Sequence, residues 1–384
     1  MEKRLVYADY AATAVPSERA IAKAVPYLRE NFGNASGVYS LGMRSARAVF
    51  DARKSIARSI GARPEEIFFT SGGTESDNWA LRAAAELGAQ KGKRRIITSA
   101  VEHHAVMNTL EYLGKQGFET VFLPVDRDGR LRAEQIADAL TDDTALVTVM
   151  TANNEIGTIY PIEKIAEVCR ERGVLFHTDA VQAVGHIPVD VSELGADMLS
   201  LSGHKFGAMK GIGALYVRRG VNIDSFMKGG AQESGRRPGT ENVAAIVSMA
   251  EALEESLEDL DKKNARLAKM RDRLTDGLLG LIPDCFLNGG REDRLAGNIS
   301  LSVKGVEGES MLLMLDMMGI MASSGSACAA AQKDPSHVLL AIGVDPKLAH
   351  GSLRLTLGNS STDEDIDYML EKIPEGIAKL RQLR

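Results

Sequence analysis

The chain has 384 residues, of which 44% are hydrophobic and 26% charged, and its 46 basic and 52 acidic residues leave a net charge of -6. This composition indicates a globular protein whose length suits two domains. The acidic balance argues against nucleic-acid binding, and no apolar run is long enough to cross a membrane. Cys169, Cys285 and Cys328 are too few and too far apart for a disulfide framework or a paired-cysteine metal site, which predicts a reducing, cytoplasmic location.

Short β-rich runs alternate with helical patterns between residues 60 and 220, which predicts βαβ units around a largely parallel sheet. The predicted strands are 67–71, 95–99, 120–124, 145–150, 174–179, 198–202 and 214–217. The last two are joined by GHKFGAMKGIG, which is too short for a crossover helix, so the final strand is predicted to be antiparallel.

A different pattern begins at Glu241, where interleaved acidic and basic residues predict one long connecting helix to about Leu279. Two further strands at 298–303 and 352–357, a helix at 308–318 and a terminal helix capped by Ser361 or Thr362 predict a smaller α+β unit.

Lys205 follows a predicted strand in the segment LSLSGHKFG. A lysine in that place could be a surface residue, a point charge for phosphate or a former of a Schiff base. Asp179, 26 residues earlier, also ends a strand, and it is either a helix cap or the carboxylate that keeps a pyridine nitrogen protonated. The two together favour pyridoxal phosphate, whose ring acts as an electron sink.

Three other segments carry candidate ligand-binding residues at a strand end or a helix start. Gly73 and Thr74 lie where a strand passes into a helix, a place that suits phosphate although the Walker pattern is absent. His103 is adjacent to His104, and adjacent helical residues cannot form a matched zinc pair, so stacking on a ring is preferred. Asn154 lies in an Asn-rich turn or holds ligand oxygens.

Cys328 differs from the other two cysteines because it lies in a loop of small residues, SSGSACAAA, and not on an apolar periodic face. This context favours a reactive thiol for Cys328, whereas Cys169 and Cys285 are predicted to be packing residues.

In this order the segments resemble the cysteine desulfurases of the NifS/IscS type, a branch of the aspartate-aminotransferase-like, fold type I, pyridoxal-phosphate enzymes. The resemblance rests on YADYAATAVP, FGNAS, FTSGGTESDN, VEHHAV, NNEIGTI, DAVQAVG, SGHKF, GRRPGTENV, VEGES, SSGSAC and AHGSLRLTLG. It implies an α/β fold with a mostly parallel seven-stranded sheet in a large cofactor-binding domain, residues 15–260. Residues 1–14 and 261–384 are then the smaller α+β domain with the cysteine loop.

The resemblance also implies the roles of individual residues. Lys205 binds the cofactor covalently and takes the substrate α-proton, Asp179 pairs with the ring nitrogen, and His103 stacks on the ring and assists proton transfer. Cys328 accepts the sulfur. The remaining implied roles are Gln182 and Asn154 near the ring hydroxyl and substrate, Gly73, Thr74, Ser202 and His204 on the phosphate with Thr240 of a second subunit, and Arg354 on the substrate carboxylate with Asn34 assisting.

The implied reaction converts L-cysteine to L-alanine and leaves a persulfide on Cys328, for iron–sulfur cluster or other sulfur-containing cofactor biosynthesis. A homodimer follows from the role of Thr240, and no catalytic metal is implied, although Cys328 could contact a cluster iron during transfer. The chain ends at KLRQLR, without the extended tail by which housekeeping members engage an iron–sulfur scaffold. The alternatives are a related lyase or transaminase that does not use Cys328, and a non-catalytic partner protein of the same fold.

Overall fold

The computed structural model describes residues 4–325 and 335–383. In chain order its strands are β1 Val6–Tyr7, β2 Ile67–Thr70, β3 Arg95–Ser99, β4 Glu119–Leu123, β5 Thr144–Thr148, β6 Leu175–Asp179, β7 Met198–Ser202, β8 Gly213–Val217, β9 Cys285–Leu287, β10 Asn298–Val303, β11 Ile320–Met321 and β12 Ser352–Thr356. Its helices are α1 Glu18–Arg29, α2 Ser40–Ser59, α3 Gly73–Ala89, α4 His104–Gly114, α5 Ala133–Ala139, α6 Ile162–Glu171, α7 Val191–Leu194, α8 Val243–Leu257, α9 Leu260–Leu281, α10 Gly308–Met317, α11 His337–Ala341, α12 Pro346–Ala349 and α13 Asp363–Gln382.

The central sheet has seven strands in the order β2-β8-β7-β6-β5-β3-β4. All neighbouring pairs are parallel except those of β8, which runs antiparallel to both β2 and β7. Every residue of β2, β5, β7 and β8 is buried, because helices cover both faces of the sheet. The predicted strands and the single antiparallel strand are confirmed. Since β5, β6 and β7 are parallel neighbours, the residues that follow them meet at one edge of the sheet.

The predicted long helix after Glu241 is wrong, because the chain forms two helices, α8 and α9, that are separated at Glu258 and Asp259. Asp259 has φ of 50°, in the left-handed region that ends a helix and that aspartate tolerates better than most residues. Buried side chains of α8 join the hydrophobic cluster of the central sheet, whereas those of α9 join a separate cluster. The alternation of charged residues continues through the break, so the sequence gives no sign that α8 and α9 pack against different clusters.

The second cluster contains a three-stranded antiparallel sheet, β12-β10-β9, and the parallel pair β1-β11. Helices α9, α10 and α13 pack on it, and Thr362 caps α13 by accepting a hydrogen bond from the Asp365 N–H. We therefore propose the domain division near residue 260, with the N-terminal strand joined to the smaller domain. Val338, Leu339, Ile342 and Ala349 are exceptions, because they pack into a cluster of the central sheet.

The part of the chain that the structure describes contains no helix that is both long and apolar enough to cross a membrane.

Candidate active site

A cavity of about 280 Å³ lies at the carboxyl ends of the parallel strands. Its lining includes Arg354 and nine of the ten predicted cofactor-binding residues. These nine are Gly73, Thr74, His103, Asn154, Asp179, Gln182, Ser202, His204 and Lys205. The wall is completed by Ala11 and Ala12 of the N-terminal segment and by Gly325, which immediately precedes residue 326. Segments from both proposed domains thus line one cavity.

Asp179 is the last residue of β6 and is only 4% exposed. One carboxylate oxygen, Oδ1, accepts a hydrogen bond of 2.9 Å from the Val181 N–H, which fixes the orientation of the group. Burial raises the pKa of Asp179 to about 6, although the Val181 N–H and the Lys205 charge lower it. The carboxyl group is therefore mostly ionised at neutral pH and is available to a cationic ligand atom.

Lys205 ends a short 3-10 turn that directly follows β7. Its Nζ donates hydrogen bonds to the carbonyl oxygens of Ala11, at 2.7 Å, and Ala12, at 3.0 Å. The Gln182 side-chain amide donates to the same Ala11 carbonyl at 2.9 Å. The N-terminal segment therefore holds the lysine amine at the cavity wall.

His103 is the N-cap of α4, where its Nδ1 accepts a hydrogen bond of 3.1 Å from the Ala105 N–H. Burial lowers the pKa of His103 to about 4, and the Lys205 charge lowers it further. The imidazole is consequently neutral at physiological pH, with Nδ1 as acceptor and Nε2 carrying the proton. A flat neutral ring next to Asp179 and Lys205 is suited to stacking and to proton exchange.

Another part of the cavity lining is suited to an anion. Gly73 and Thr74 begin the 17-residue helix α3, whose first turn presents free backbone N–H groups. Ser202 and His204 line the same cavity. Burial lowers the pKa of His204 to about 4, so this imidazole acts as a neutral hydrogen-bonding group.

Arg354 lies in the middle of β12 and is 2% exposed. Its Nη1 donates to the carbonyl oxygen of Asn154 at 3.1 Å, and its Nη2 pairs with Asp9 Oδ1 at 2.9 Å. The buried Nε has no hydrogen-bond partner among the described atoms. Arg354 lines the cavity, and a guanidinium is suited to a ligand carboxylate because it can donate two parallel hydrogen bonds.

Comparison with known proteins identifies the family to which this chain belongs. The model of the class-V aminotransferase family matches residues 6–369. The chain belongs to this family. Cysteine desulfurase IscS of Methanosarcina thermophila is 50% identical over 382 residues, which cover 100% of this chain and 94% of that protein. Cysteine desulfurase NifS of Azotobacter vinelandii is 42% identical over 98% of this chain and 94% of its own. A solved NifS-like protein aligns with a TM-score of 0.92 and 37% identity over 98% of this chain and 100% of its own.

Class-V aminotransferases of this desulfurase group depend on pyridoxal phosphate, and the cavity residues fit that cofactor. An ionised carboxylate, a lysine amine and a helix N-terminus match its ring nitrogen, its carbonyl carbon and its phosphate. Asp77 also lines the cavity; its Oδ1 is fully buried and lies 3.7 Å from His177 Nε2. Asp77, His103 and Asp179 could also hold a metal ion, since their ligand atoms lie within 4.8 Å of one another.

Sequence reasoning missed two acidic residues of this desulfurase-like cavity and a third that pairs with Arg354. Asp77 and Glu155 are buried in its wall, and Asp9 pairs with Arg354 from the N-terminal segment. Burial raises the pKa of Asp77 well above its usual range, and the Asp179 charge adds to this effect. The only feature of the sequence that could have pointed to Asp77 and Glu155 is that they lie inside the motifs FTSGGTESDN and NNEIGTI.

Three predicted residues are not in the cavity of a single described chain. Thr240 is exposed and lines a small separate cavity with Ser71, so its role on the phosphate requires a second subunit. Asn34 is exposed and accepts a hydrogen bond from the Ser36 N–H, with no place in the cavity lining of its own chain. Cys328 lies outside the described residues.

Proposed function

We propose that this chain is a pyridoxal-phosphate-dependent cysteine desulfurase that converts L-cysteine to L-alanine and transfers the sulfur to Cys328 as a persulfide. The observation that supports this proposal best is the composition of one cavity, which combines Lys205, Asp179 and Arg354 with Gly325. Gly325 precedes Cys328 by three residues in the sequence. The persulfide sulfur is destined for iron–sulfur clusters or other sulfur-containing cofactors, and an iron–sulfur scaffold protein is the proposed acceptor.

Arg354 binds the substrate carboxylate. Its guanidinium is held by Asp9 and by the Asn154 carbonyl, so little side-chain freedom remains to be lost when cysteine binds. A planar guanidinium can donate two parallel hydrogen bonds to a carboxylate, and Arg354 itself is only 2% exposed. This fixes the position of the α-carbon relative to Lys205.

Lys205 is the base that removes the α-proton of the substrate. The Ala11 and Ala12 carbonyl oxygens hold its Nζ at the cavity, where it can receive and return a proton without a large displacement. Neutral His103 lies close by as a second proton carrier. Bound pyridoxal phosphate supplies the electron sink that makes the α-proton acidic, and Asp179 supports this by holding the proton of the ring nitrogen.

Cys328 is the proposed nucleophile because the other two cysteines are poor thiolate formers. Burial raises the pKa of Cys169 to about 12 and that of Cys285 to about 11. The Cys328 thiolate bonds to the substrate sulfur as the carbon–sulfur bond breaks, and the carbon is then protonated to give the methyl group of alanine. The cycle between thiol and persulfide requires a reducing compartment, which we propose is the cytoplasm.

A homodimer is part of the proposal. Thr240 is exposed in its own chain and requires a partner cavity in order to contact a phosphate. Residues 28–50 also expose several large apolar side chains, among them Phe32 at 71% and Val38 at 93%. Such an exposed apolar surface is typical of an interface with a second copy.

The test is turnover of L-cysteine with a reductant, with alanine and sulfide measured for the wild type, Cys328→Ala and the matched control Cys285→Ala. We expect both products from the wild type and the control, and none from Cys328→Ala, which should retain the cofactor absorption. Wild-type turnover by Cys328→Ala would instead favour a related lyase or transaminase. A wild-type protein that does not bind pyridoxal phosphate would indicate a non-catalytic partner protein. Dialysis against a chelator should leave turnover unchanged, whereas loss of turnover would favour a metal at Asp77, His103 and Asp179.

A further inference from the structure

Glu102 is a buried acidic residue that the proposed mechanism does not use. It is 0% exposed, and it directly precedes His103, the residue that we assign to the cofactor ring. Burying a carboxyl group is costly unless protein hydrogen bonds replace those of water. The contacts that hold Glu102 therefore need a reason.

The Glu102 carboxyl group joins the ends of two neighbouring parallel strands. Its Oε1 accepts a hydrogen bond of 2.5 Å from the hydroxyl of Ser99, the last residue of β3. The Met150 N–H, two residues beyond β5, donates to Oε2 at 3.0 Å and to Oε1 at 3.2 Å. Strands β3 and β5 are direct neighbours in the central sheet. A side chain thus ties the segment that leads into His103 to the end of the next strand.

Further contacts hold the main chain of this segment. The His337 Nε2 donates a hydrogen bond of 2.9 Å to the Glu102 carbonyl oxygen. The His337 ring also meets the His104 ring edge to face, with 4.9 Å between the ring centroids. The Asn153 side-chain amide donates to the Val101 carbonyl oxygen at 2.9 Å. The segment is therefore fixed by the turn after β5 and by α11.

The orientation of the His103 ring depends on this support. The one hydrogen bond of its imidazole among the described residues is local, because Nδ1 accepts it from the Ala105 N–H at 3.1 Å. The ring lines the cavity directly beyond Glu102 in the chain. A shift of the main chain at Glu102 would consequently move the His103 ring within the cavity wall.

We propose that Glu102 is a positioning residue for His103, which it holds at the cavity by tying the preceding segment to Ser99 and to the Met150 N–H. The inference rests on the proposed function, in which His103 stacks on the cofactor ring and carries protons. A reacting group that is already held in place loses less freedom when the reaction occurs, so less of the barrier is entropic. Glu102 does not itself react.

The first measurement is the rate at which diethyl pyrocarbonate modifies His103 in the cofactor-free, full-length protein. Tandem mass spectrometry locates the modified ring, and the exposed His350 serves as the internal reference. We expect Glu102→Leu, which has a similar size but no acceptor, to accelerate this modification at least about threefold. Glu102→Gln should stay near the wild-type rate, since its side-chain carbonyl can accept from the Met150 N–H. Both variants remove any charge at position 102, so their difference isolates the hydrogen bonds.

Asp197→Leu is the matched control. Asp197 is also a buried carboxylate that accepts a main-chain N–H from a neighbouring strand, that of Phe176 at 2.8 Å. It precedes β7, however, and so lies at the amino end of the strand, away from the cavity. Both leucine variants should lower the melting temperature, whereas only Glu102→Leu should accelerate the modification of His103.

Ser99→Ala is a milder variant for the case that Glu102→Leu does not fold. It removes one hydrogen bond from the Glu102 carboxyl group and leaves the contact with the Met150 N–H. We expect it to accelerate the modification of His103 at least about twofold.

Turnover of L-cysteine is the second measurement. Glu102→Leu should lower kcat for alanine formation at least about fivefold, with KM for cysteine little changed, because Arg354 and not His103 binds the substrate carboxylate. Glu102→Gln should restore most of kcat.

A His103 modification rate in Glu102→Leu that is less than threefold the wild-type rate would overturn the proposal. Equal acceleration by Asp197→Leu or by Glu102→Gln would do so too, and so would an unaltered rate in Ser99→Ala if Glu102→Leu does not fold. Faster modification with unchanged kcat would also overturn it, because the contact would then have no part in the reaction. If the wild type forms no alanine yet the modification rates change as expected, the proposed function fails while the positioning contact stands.

Discussion

Asp179→Asn should raise the free energy of unfolding of the cofactor-free protein. The same change should weaken the binding of pyridoxal phosphate. The carboxyl group is buried, its folded-state pKa is about 6 against a usual value of 3.8, and the Asp77 carboxyl lies nearby. The folded state therefore holds the proton more tightly than the unfolded state. It follows that the free energy of unfolding decreases as pH rises from about 4 to about 6 and stays lower above that range.

The difference between the two pKa values corresponds to about 3 kcal/mol at most. Asparagine keeps the size of the side chain and can still accept the hydrogen bond from the Val181 N–H, but it carries no charge. We therefore expect cofactor-free Asp179→Asn to be about 2 to 3 kcal/mol more stable than the wild type at pH 8 and equal to it at pH 4. With cofactor the ranking should reverse, because the wild-type carboxylate then has a cationic partner, and its loss should weaken pyridoxal phosphate binding about tenfold or more.

The assay is urea unfolding of cofactor-free protein at both pH values, together with titration of cofactor absorption. Asp138→Asn on the exposed side of α5 changes the net charge equally and should have little effect at either pH. A cofactor-free Asp179→Asn variant that is no more stable than the wild type at pH 8 would refute the reasoning from burial.

Three further outcomes follow from the site. Arg354→Lys should raise KM for cysteine about tenfold by removing one of two parallel hydrogen bonds, with unchanged cofactor absorption; an unchanged KM would place the carboxylate elsewhere. Thr240→Ala should weaken cofactor binding by the dimer about tenfold, and unaltered binding would show that this hydroxyl does not contact the partner's cofactor. Burial lowers the pKa of His177 to about 3, so cofactor-free protein should lose stability as pH falls from about 6.5, because only the unfolded state takes up the proton. His177→Gln should reduce that slope by up to about 1.4 kcal/mol per pH unit, and an unaltered slope in urea titrations would contradict the shift.

Much of the fold could be predicted because its signals are local. The strands of the central sheet are short β-rich runs that alternate with helical patterns, and the short connection between β7 and β8 predicted the antiparallel pair. The strands β1 and β11 were missed, since each has only two residues and pairs with a partner that is distant in the chain. The break at Asp259 was missed because charged residues continue through it while the packing partner changes.

The sequence alone determined which chemical groups are available: Lys205, Asp179 and His103 at strand or helix ends, and one cysteine in a loop of small residues. Only the tertiary structure decided which buried charges lie together, because their partners are far apart in the chain. Asp9 is 345 residues from Arg354, and Glu155 is 181 residues from Ser336. Burying a carboxylate is costly unless folding brings a hydrogen-bond donor to it. When that donor is distant in the chain, the local sequence around the carboxylate does not predict it.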